Sequence, residues 1–191
     1  MTKTGKLIVF SAPSGSGKTT IVNYLLEQPE LDLAFSVSAT SRYRRVGETE
    51  GKDYYFITAD DFKARIKKGE FLEYEEVYKD NFYGTLKSEI TRIWAMGKHA
   101  IFDVDVYGGI HIKKQFPDKT LAVFVRPPSI AELEKRLRNR KTESEEKIAI
   151  RIAKASKELT TAHEFDKIIS NTDLEVAKKE AYTLVHDFIN K

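Results

Sequence analysis

The sequence predicts an α/β fold in which a parallel sheet is flanked by helices. Two observations predict it. Short β-branched apolar segments alternate with segments of helical periodicity, and a glycine-containing loop joins the first strand to the first helix. With 191 residues, 41% of them apolar and 32% charged, the chain is expected to form one globular domain with a sizeable core.

The strand predictions follow runs of β-branched and aromatic residues. They cover residues 7–10, 35–38, 54–57, 71–77, 100–104, 121–125 and 167–170. Apolar residues spaced three and four apart predict helices that include residues 86–94, 130–137, 148–159 and 174–188, with a shorter helix at 60–68. A further helix is expected to start near Gly17.

Two regions interrupt the alternation. Between residues 36 and 85 the strands follow one another with only the short helix among them, which indicates an inserted mixed α+β subdomain. The charged segment 136–148 predicts two helices joined at an elbow, where Thr142 and Glu145 have the spacing of a capping box.

Composition limits the kinds of function. The formal net charge is +3, from 32 basic and 29 acidic residues, so no global field favours nucleic acid or a membrane surface. The lack of cysteine excludes disulfides, thiolate zinc sites and a cysteine nucleophile. No segment approaches the roughly 20 apolar residues of a membrane span. We expect a soluble, cytoplasmic protein that binds neither nucleic acid nor membrane.

The stretch "APSGSGKT", residues 12–19, predicts a phosphate-binding loop, and with it a sheet of the P-loop NTPase type. Gly17, Lys18 and Thr19 match the end of the pattern G-x-x-x-x-G-K-[ST], whereas Ala12 replaces its first glycine. A methyl group at Ala12 is tolerable if its φ is negative. The predicted ATP-contacting residues are Ala12, Pro13, Ser14, Gly15, Ser16, Gly17, Lys18, Thr19 and Thr20.

The chemistry of this loop follows from its residue types. Gly15 and Gly17 allow backbone N–H groups to turn toward phosphate oxygens, and the following helix adds the positive end of its dipole. Lys18 would reach the β- and γ-phosphates, and the Thr19 hydroxyl would be a ligand of Mg²⁺.

Two more clusters carry charge. Asp103 and Asp105 come at the carboxyl end of a predicted strand, where alternation puts both on one face. They could organise water ligands of Mg²⁺, or hold a substrate hydroxyl or an arginine. Arg42, Arg44 and Arg45 lie together ahead of Tyr54, and suggest a local phosphate site, although a solvated basic loop explains the arginines taken alone.

These residues carry a family resemblance that covers nearly the whole chain. The motifs are "SAPSGSGKTT", "SVSATSRYRRVGE", "GKDYYF", "GEFLEYEEV", "YGT", "IFDVDVYGG", "PPSIAELEKRLRNR" and "TESEEKIAIRI". In this order they resemble the guanylate kinase family, whose members transfer the γ-phosphoryl group of ATP to GMP. The resemblance implies a core of about residues 5–35, 86–126 and 160–191, a GMP-binding insertion at 36–85 and a lid at 127–159.

The resemblance also implies roles for single residues. Arg42, Arg45, Tyr54 and Tyr83 would hold the GMP phosphate, and Ser38, Glu73 and Thr85 would face guanine, with Asp103 and Asp105 in the same GMP-binding set. Lys18, Arg136, Arg140 and Arg151 would be catalytic, and Mg²⁺, held mostly through phosphates and water, would be the cofactor. Asn171 and Asp173 are candidates for contacting adenine. The chain departs from the family pattern at Ala12, Arg44, which replaces a proline, and Lys141, which replaces a glycine of the lid elbow.

Two other functions are compatible with parts of this pattern. A non-catalytic guanylate-kinase-like module would bind proteins through the same cleft, but such modules tend to lose the loop lysine and lid arginines that this chain keeps. A P-loop kinase for another phosphorylated acceptor, such as a sugar phosphate, would share the loop but would have no use for Glu73, Ser38 and Thr85. The sequence does not predict an oligomeric state or a preference between GMP and dGMP.

Overall fold

The structure is a computed structural model that describes residues 5–139 and 144–191. Its strands in chain order are β1 (Leu7–Ser11), β2 (Leu33–Phe35), β3 (Ala39–Thr40), β4 (Tyr55–Phe56), β5 (Phe71–Tyr78), β6 (Asn81–Leu86), β7 (His99–Val104), β8 (Thr120–Arg126) and β9 (Lys167–Ser170). Its α-helices are α1 (Lys18–Leu26), α2 (Ala59–Lys67), α3 (Lys87–Ala95), α4 (Val106–Gln115), α5 (Ile130–Asn139), α6 (Glu145–Thr160) and α7 (Leu174–Ile189). Short 3₁₀ turns lie at Pro29–Leu31 and Ala162–Glu164.

The strands form two sheets. The central sheet is parallel and has the order β2-β7-β1-β8-β9. The second sheet has the order β4-β3-β6-β5 and is mixed, because β3 pairs parallel with β4 whereas β6 pairs antiparallel with both β3 and β5. The predicted α/β class with a parallel sheet is therefore confirmed.

The central sheet is covered on both faces, and β1 shows why. Ile8 and Phe10 pack in a cluster with α1 and α7, whereas Leu7 and Val9 pack in a cluster with α3 and α4. A strand that is buried on both faces reads as a continuous apolar run rather than as an alternation. This is the pattern that "LIVF" shows in the sequence.

The chain crosses between the two sheets at a point where the sequence predicted a strand. The prediction of one strand at 35–38 is wrong, because β2 ends at Phe35 and β3 begins at Ala39. Between them, the Ser36 amide donates to the Ile101 carbonyl, and the Val37 amide donates to the Glu89 carboxylate. Val37 is buried and Phe35 is partly buried as the chain passes from one sheet to the other.

Besides β3, strand β6 and helix α4 were not predicted. Strand β6 follows a tight turn at Asp80, whose φ is 62°, and the glycine in "NFYGTL" weakens its strand pattern. Helix α4 has the sequence "VYGGIHIKKQ", in which two glycines lower the helix propensity.

The predicted capping box is also wrong. Ser144 is the N-cap of α6 and Glu145 is its first helical residue, so Glu145 does not occupy the third position of the helix. Thr142, the predicted partner, lies outside the described residues. Over residues 5–139 and 144–191, no helix is long and apolar enough to cross a membrane.

Candidate active site

A cleft of about 730 Å³ lies between the carboxyl edge of the central sheet and the second sheet. It brings together most of the predicted site residues. Those that line it are Ala12, Pro13, Ser14, Gly15, Ser16, Gly17, Lys18, Thr19, Thr20, Ser38, Arg45, Tyr54, Glu73, Tyr83, Asp103, Asp105 and Arg151. Arg42 and Thr85 contact residues of this lining, Arg136 lies outside it, and Arg140 lies outside the described residues.

The glycine loop has the backbone geometry that its sequence requires. Gly15 and Gly17 have φ values of 93° and 89°, in the left-handed region that favours glycine. Within the described residues, the non-glycine residues of positive φ are Asp32 and Asp80, so Ala12 has the negative φ that tolerates its methyl group. The replacement of the first glycine therefore leaves the loop unstrained at that position.

A residue distant in sequence supports the loop. The Asn171 amide donates a hydrogen bond of 2.7 Å to the Ser16 carbonyl, and Asn171 is buried. Asp173 caps α7, accepting from the amides of Glu175 and Val176. Both side chains thus have structural partners, and their predicted contact with adenine stays a prediction.

Lys18 and Thr19 converge on one carboxylate. Lys18 forms an ion pair with Asp103, and Thr19 Oγ1 donates to Asp103 Oδ2 over 2.7 Å. Strand register explains the meeting, since Phe10 near the end of β1 lies beside Asp103 on β7. Burial lowers the pKa of Lys18 to about 8, while the carboxylates of Asp105 and Glu158 act to raise it. The ammonium group is thus partly desolvated beside the loop.

The second predicted aspartate has a different local role. Asp105 lies one residue beyond β7 and is the N-cap of α4, where its Oδ1 accepts from the Gly108 amide over 2.9 Å. The expectation that both carboxylates project from one strand face is therefore wrong for Asp105. Both carboxylates nevertheless line the cleft.

On the second sheet, Glu73 forms a buried acceptor site. Its Oε1 accepts from Thr85 Oγ1 over 2.7 Å, and the Glu73 side chain is only 7% exposed. A Cβ at Gly108 would lie 2.8 Å from Glu73 Oε2, so the start of α4 approaches the carboxylate closely. Burial raises the pKa of Glu73 to about 7, although the Thr85 hydroxyl opposes this shift.

A basic and aromatic cluster adjoins Glu73. Arg42 Nε donates to the Tyr83 hydroxyl over 3.0 Å, and the Arg42 guanidinium lies 5.0 Å from the centre of the Tyr54 ring. Its two terminal nitrogens donate to the two oxygens of Glu48 over 2.7 and 2.5 Å. These bonds lower the pKa of Glu48 to about 2. Arg45 is exposed and donates its backbone amide to the same carboxylate.

Of the arginines expected in the lid, Arg151 contacts the glycine loop and Arg136 does not. Arg151, on α6, donates to Ser14 Oγ over 2.6 Å and so contacts the glycine loop. Arg136, on α5, donates to Glu132 over 3.2 Å, one helical turn away. Arg151 therefore lines the cleft, whereas Arg136 lies outside the cleft lining.

Sequence reasoning missed four charged residues of this region. Glu48 holds Arg42, and Glu75, Lys154 and Glu158 line the cleft between the second sheet and α6. Strand spacing from Glu73 could have indicated Glu75, and helical spacing from Arg151 could have indicated Lys154 and Glu158. Burial raises the pKa of Glu158 to about 7, against the opposing charges of Lys154 and Lys18.

Comparison with known proteins gives one consistent family. A family model described as guanylate kinase matches residues 4–191. The guanylate kinase of Bacteroides thetaiotaomicron is 54% identical over 98% of this chain and 92% of that protein. That of Porphyromonas gingivalis is 50% identical over 97% of this chain and 99% of that protein. A crystal structure of guanylate kinase from Anaplasma phagocytophilum has a TM-score of 0.78 at 29% identity, covering 98% of this chain and 88% of that one.

Proposed function

Because the chain belongs to the guanylate kinase family, we propose that the cleft between its two sheets is where ATP and GMP meet. The chain is an ATP:GMP phosphotransferase, a nucleoside-monophosphate kinase. The observation that supports this site most directly is that one continuous cleft is lined both by the glycine loop and by Glu73, Tyr54 and Tyr83 of the second sheet. Donor and acceptor sites that share a cleft allow direct transfer between two bound nucleotides.

The glycine loop and Lys18 form the proposed donor site. The left-handed Gly15 and Gly17 let backbone amides face phosphate oxygens, and Lys18 supplies a point charge for the β- and γ-phosphates. When ATP binds, its phosphates would compete with Asp103 for the Lys18 ammonium. Asn171 contributes by holding the Ser16 carbonyl, which keeps the loop in place.

Glu73 forms the centre of the proposed guanine site. A carboxylate accepts from both the ring N–H and the exocyclic amine of guanine, and adenine offers no such pair of donors. Thr85 fixes the orientation of the carboxylate, and Ser38 and Asp105 line the cleft nearby. A site built on such hydrogen bonds rejects a ligand that lacks them by up to about 10⁴–10⁵-fold.

The Arg42 and Tyr83 pair belongs to the proposed site for the GMP phosphate, with Arg45 and Tyr54. Guanidinium groups and phenolic hydroxyls are donors that suit a phosphate dianion. Both terminal nitrogens of Arg42 already donate to Glu48, so an incoming phosphate would compete with this carboxylate for the guanidinium.

The transfer itself needs positioning and charge neutralisation rather than a general base. An oxygen of the GMP phosphate, already anionic, attacks the γ-phosphorus, the bond to the β–γ bridging oxygen breaks, and ADP leaves. Lys18, Arg136, Arg140 and Arg151 would neutralise the charge on the transferring group. The reverse reaction uses the same groups, and dGMP offers the same base and phosphate.

Mg²⁺ is the proposed cofactor, held mainly by the nucleotide. The Thr19 hydroxyl and the Asp103 carboxylate supply oxygen atoms of the kind that Mg²⁺ prefers. The described residues contain no group of three or more histidine or carboxylate side chains that could hold a metal alone, which fits an ion bound mostly by phosphates and water. When bound, the ion would neutralise charge on the β- and γ-phosphate oxygens.

Three parts of the chain would move during the reaction. The proposed core comprises about residues 5–35, 86–126 and 160–191, the GMP-binding insertion residues 36–85, and the lid residues 127–159. Closure with hinges near Ser36, Thr85, Pro127 and Thr160 would bring Arg136 toward the phosphates and exclude water, which suppresses ATP hydrolysis. The cytoplasmic location expected from the sequence stays a prediction.

The test measures ADP formation with Mg-ATP and each of GMP, AMP, CMP, UMP and ribose 1,5-bisphosphate, with Lys18→Met as the blank. We expect strong GMP-dependent turnover that the blank abolishes. Tyr83→Phe should raise the KM for GMP about tenfold, because a hydrogen bond to a charged group is lost. Tyr74→Phe is the matched control, since Tyr74 is 52% exposed and lies on β5 next to Glu73 but outside the cleft lining. Equal effects of the two variants would contradict the proposed acceptor site.

A further inference from the structure

One face of α6 contacts both halves of the cleft. Arg151, Lys154 and Glu158 are spaced three and four residues apart, so they share a side of the helix, and all three line the cleft. Arg151 donates to Ser14 of the glycine loop over 2.6 Å. One turn later, Lys154 Nζ donates to Glu75 Oε1 on the second sheet over 3.3 Å. The helix thus links the proposed donor and acceptor sites through two cationic side chains.

Glu75 reaches α6 because of its position on β5. It lies two residues after Glu73, so both carboxylates project to the same side of the strand, and it pairs across the sheet with Tyr83. Glu73 is bonded to Thr85 within its own sheet, whereas Glu75 extends across the cleft to Lys154. Glu75 therefore stands beside the phosphate-binding end of the acceptor site while its partner belongs to α6.

The charges around this pair make Lys154 important. Glu158 is 5% exposed and lies 3.9 Å from Lys154 Nζ. Burial raises the pKa of Glu75, as does its hydrogen bond with Asp105. Burial acts to lower the pKa of Lys154, but the carboxylates of Glu75 and Glu158 outweigh it, and the pKa is raised. Lys154 thus carries its positive charge among the carboxyl groups of Glu75, Glu158 and Asp105. Without that charge, these groups would repel one another and the incoming phosphate.

We propose that Lys154 is a positioning residue that acts through Glu75. Its contact with Glu75 would hold the GMP-binding insertion at the distance from α6 that phosphoryl transfer requires. This inference rests on the proposed acceptor site. Lys154 itself need not touch either nucleotide. Its bond to Glu75 couples the sheet that carries Glu73 and Tyr83 to the helix that carries Arg151, and so sets how the acceptor phosphate faces the donor.

The test is a double-mutant cycle with Lys154→Met and Glu75→Gln, read as kcat and KM for GMP and for ATP. Each single variant should lower kcat/KM for GMP about three- to fivefold, the size expected for a partly exposed ion pair. The double variant should lose less than the sum of the two single losses, because both substitutions remove the same contact between Lys154 and Glu75. The KM for ATP should change less than twofold. Lys154→Arg should recover most of the loss, since it keeps the charge.

Lys157→Met is the matched control, because Lys157 is an exposed lysine on the same helix and outside the cleft lining. It should behave as the wild type, and thermal unfolding should show that all variants are folded. Unchanged kinetics of Lys154→Met, additive losses in the double variant, or an equal rise in the KM for ATP would each overturn the coupling role. Failure of the acceptor site itself is measured separately, by an unchanged KM for GMP in Tyr83→Phe.

Discussion

Thr85 Oγ1 donates a hydrogen bond of 2.7 Å to Glu73 Oε1, and both residues are buried. They are direct partners in the register of β5 and β6, so the antiparallel pairing itself sets the contact. The threonine occupies one acceptor position of the carboxylate and restricts its rotation. The fold therefore orients the Glu73 carboxylate before guanine binds, which lowers the entropy cost of binding.

Glu73→Gln tests base selection. A glutamine has one acceptor and two donors where guanine also presents donors, so we expect kcat/KM for GMP to fall about 10²-fold or more, with the KM for ATP unchanged. The measurement is steady-state kinetics with GMP and AMP. Loss of turnover with a rise in the KM for ATP would indicate general damage to the cleft instead.

The raised pKa of Glu73 predicts a pH dependence. Its pKa of about 7 means that the carboxyl group becomes protonated as the pH falls through 7, and a protonated group cannot accept from both guanine donors. In the wild type, kcat/KM for GMP should therefore decline below pH 7. The GMP phosphate also titrates, near pH 6. Glu73→Gln is the control for that titration, and a profile of the same shape in both proteins would refute the assignment.

Arg136 and Arg138 form a matched pair on α5. Arg136 is predicted to reach the phosphates on closure, whereas Arg138 is bonded to Glu134 and Glu145 on the exposed side. We expect Arg136→Met to lower kcat at least 10²-fold, since an arginine that stabilises a transferring phosphoryl group is worth about 10³–10⁵ in other systems. Arg138→Met should change kcat less than twofold. Rapid-quench measurement of a single turnover distinguishes chemistry from product release.

The donor site could be predicted from the sequence better than the acceptor site. The glycine loop is a contiguous motif, so its residues and its strand-loop-helix setting are visible without a structure. The acceptor contacts depend on cross-strand register: Glu73 meets Thr85 only because β5 and β6 form a hairpin, and β6 was not predicted. The family resemblance supplied those residues where periodicity could not.

Which charged residues pair with one another also could not be predicted from the sequence. Glu48 lies six residues from Arg42, and Lys154 lies far along the chain from Glu75, so neither pair has a local spacing rule. Asp105 looked like a strand residue because its neighbours alternate, but the strand ends before it and its carboxylate caps α4. Such contacts follow from how the two sheets and α6 are packed, which sequence patterns do not encode.

Gly17→Ala should disable the glycine loop. Gly17 has a φ of 89°, which is strained for alanine, and the added methyl group would collide with the Asn171 amide. Asn171 would have to release the Ser16 carbonyl. We expect the KM for ATP to rise at least tenfold. Gly47→Ala is the control, because its φ is also 89° but nothing lies near its Cβ position. An equal rise in the KM for ATP in both variants would show that backbone strain, rather than the collision with Asn171, weakens ATP binding.

Glu89 is a buried charge that joins the insertion to the core, and its loss should lower the free energy of unfolding. The Glu89 side chain accepts from the Val37 amide over 2.9 Å, the Tyr55 hydroxyl over 2.9 Å and Arg92 over 2.8 Å. Burial acts to raise the pKa of Glu89, but these donors, led by Arg92, outweigh it and the pKa is lowered. Glu89→Gln should reduce the free energy of unfolding by about 1–3 kcal/mol at pH 7, because the buried amide keeps one acceptor oxygen for the donors that both carboxylate oxygens now accept.

The sign of the pH effect follows from the lowered pKa. A carboxylate whose pKa is lower in the folded state stabilises the fold above the ordinary glutamate pKa, and this stabilisation is lost as the pH falls through the folded value. The stability difference between wild type and Glu89→Gln should therefore shrink as urea unfolding is moved from pH 7 into the acid range. Glu132→Gln, which breaks a half-exposed pair with Arg136, should cost less than about 1 kcal/mol at pH 7. A difference for Glu89→Gln that does not depend on pH would mean that packing, rather than the charge of Glu89, holds Val37 and Tyr55 against α3.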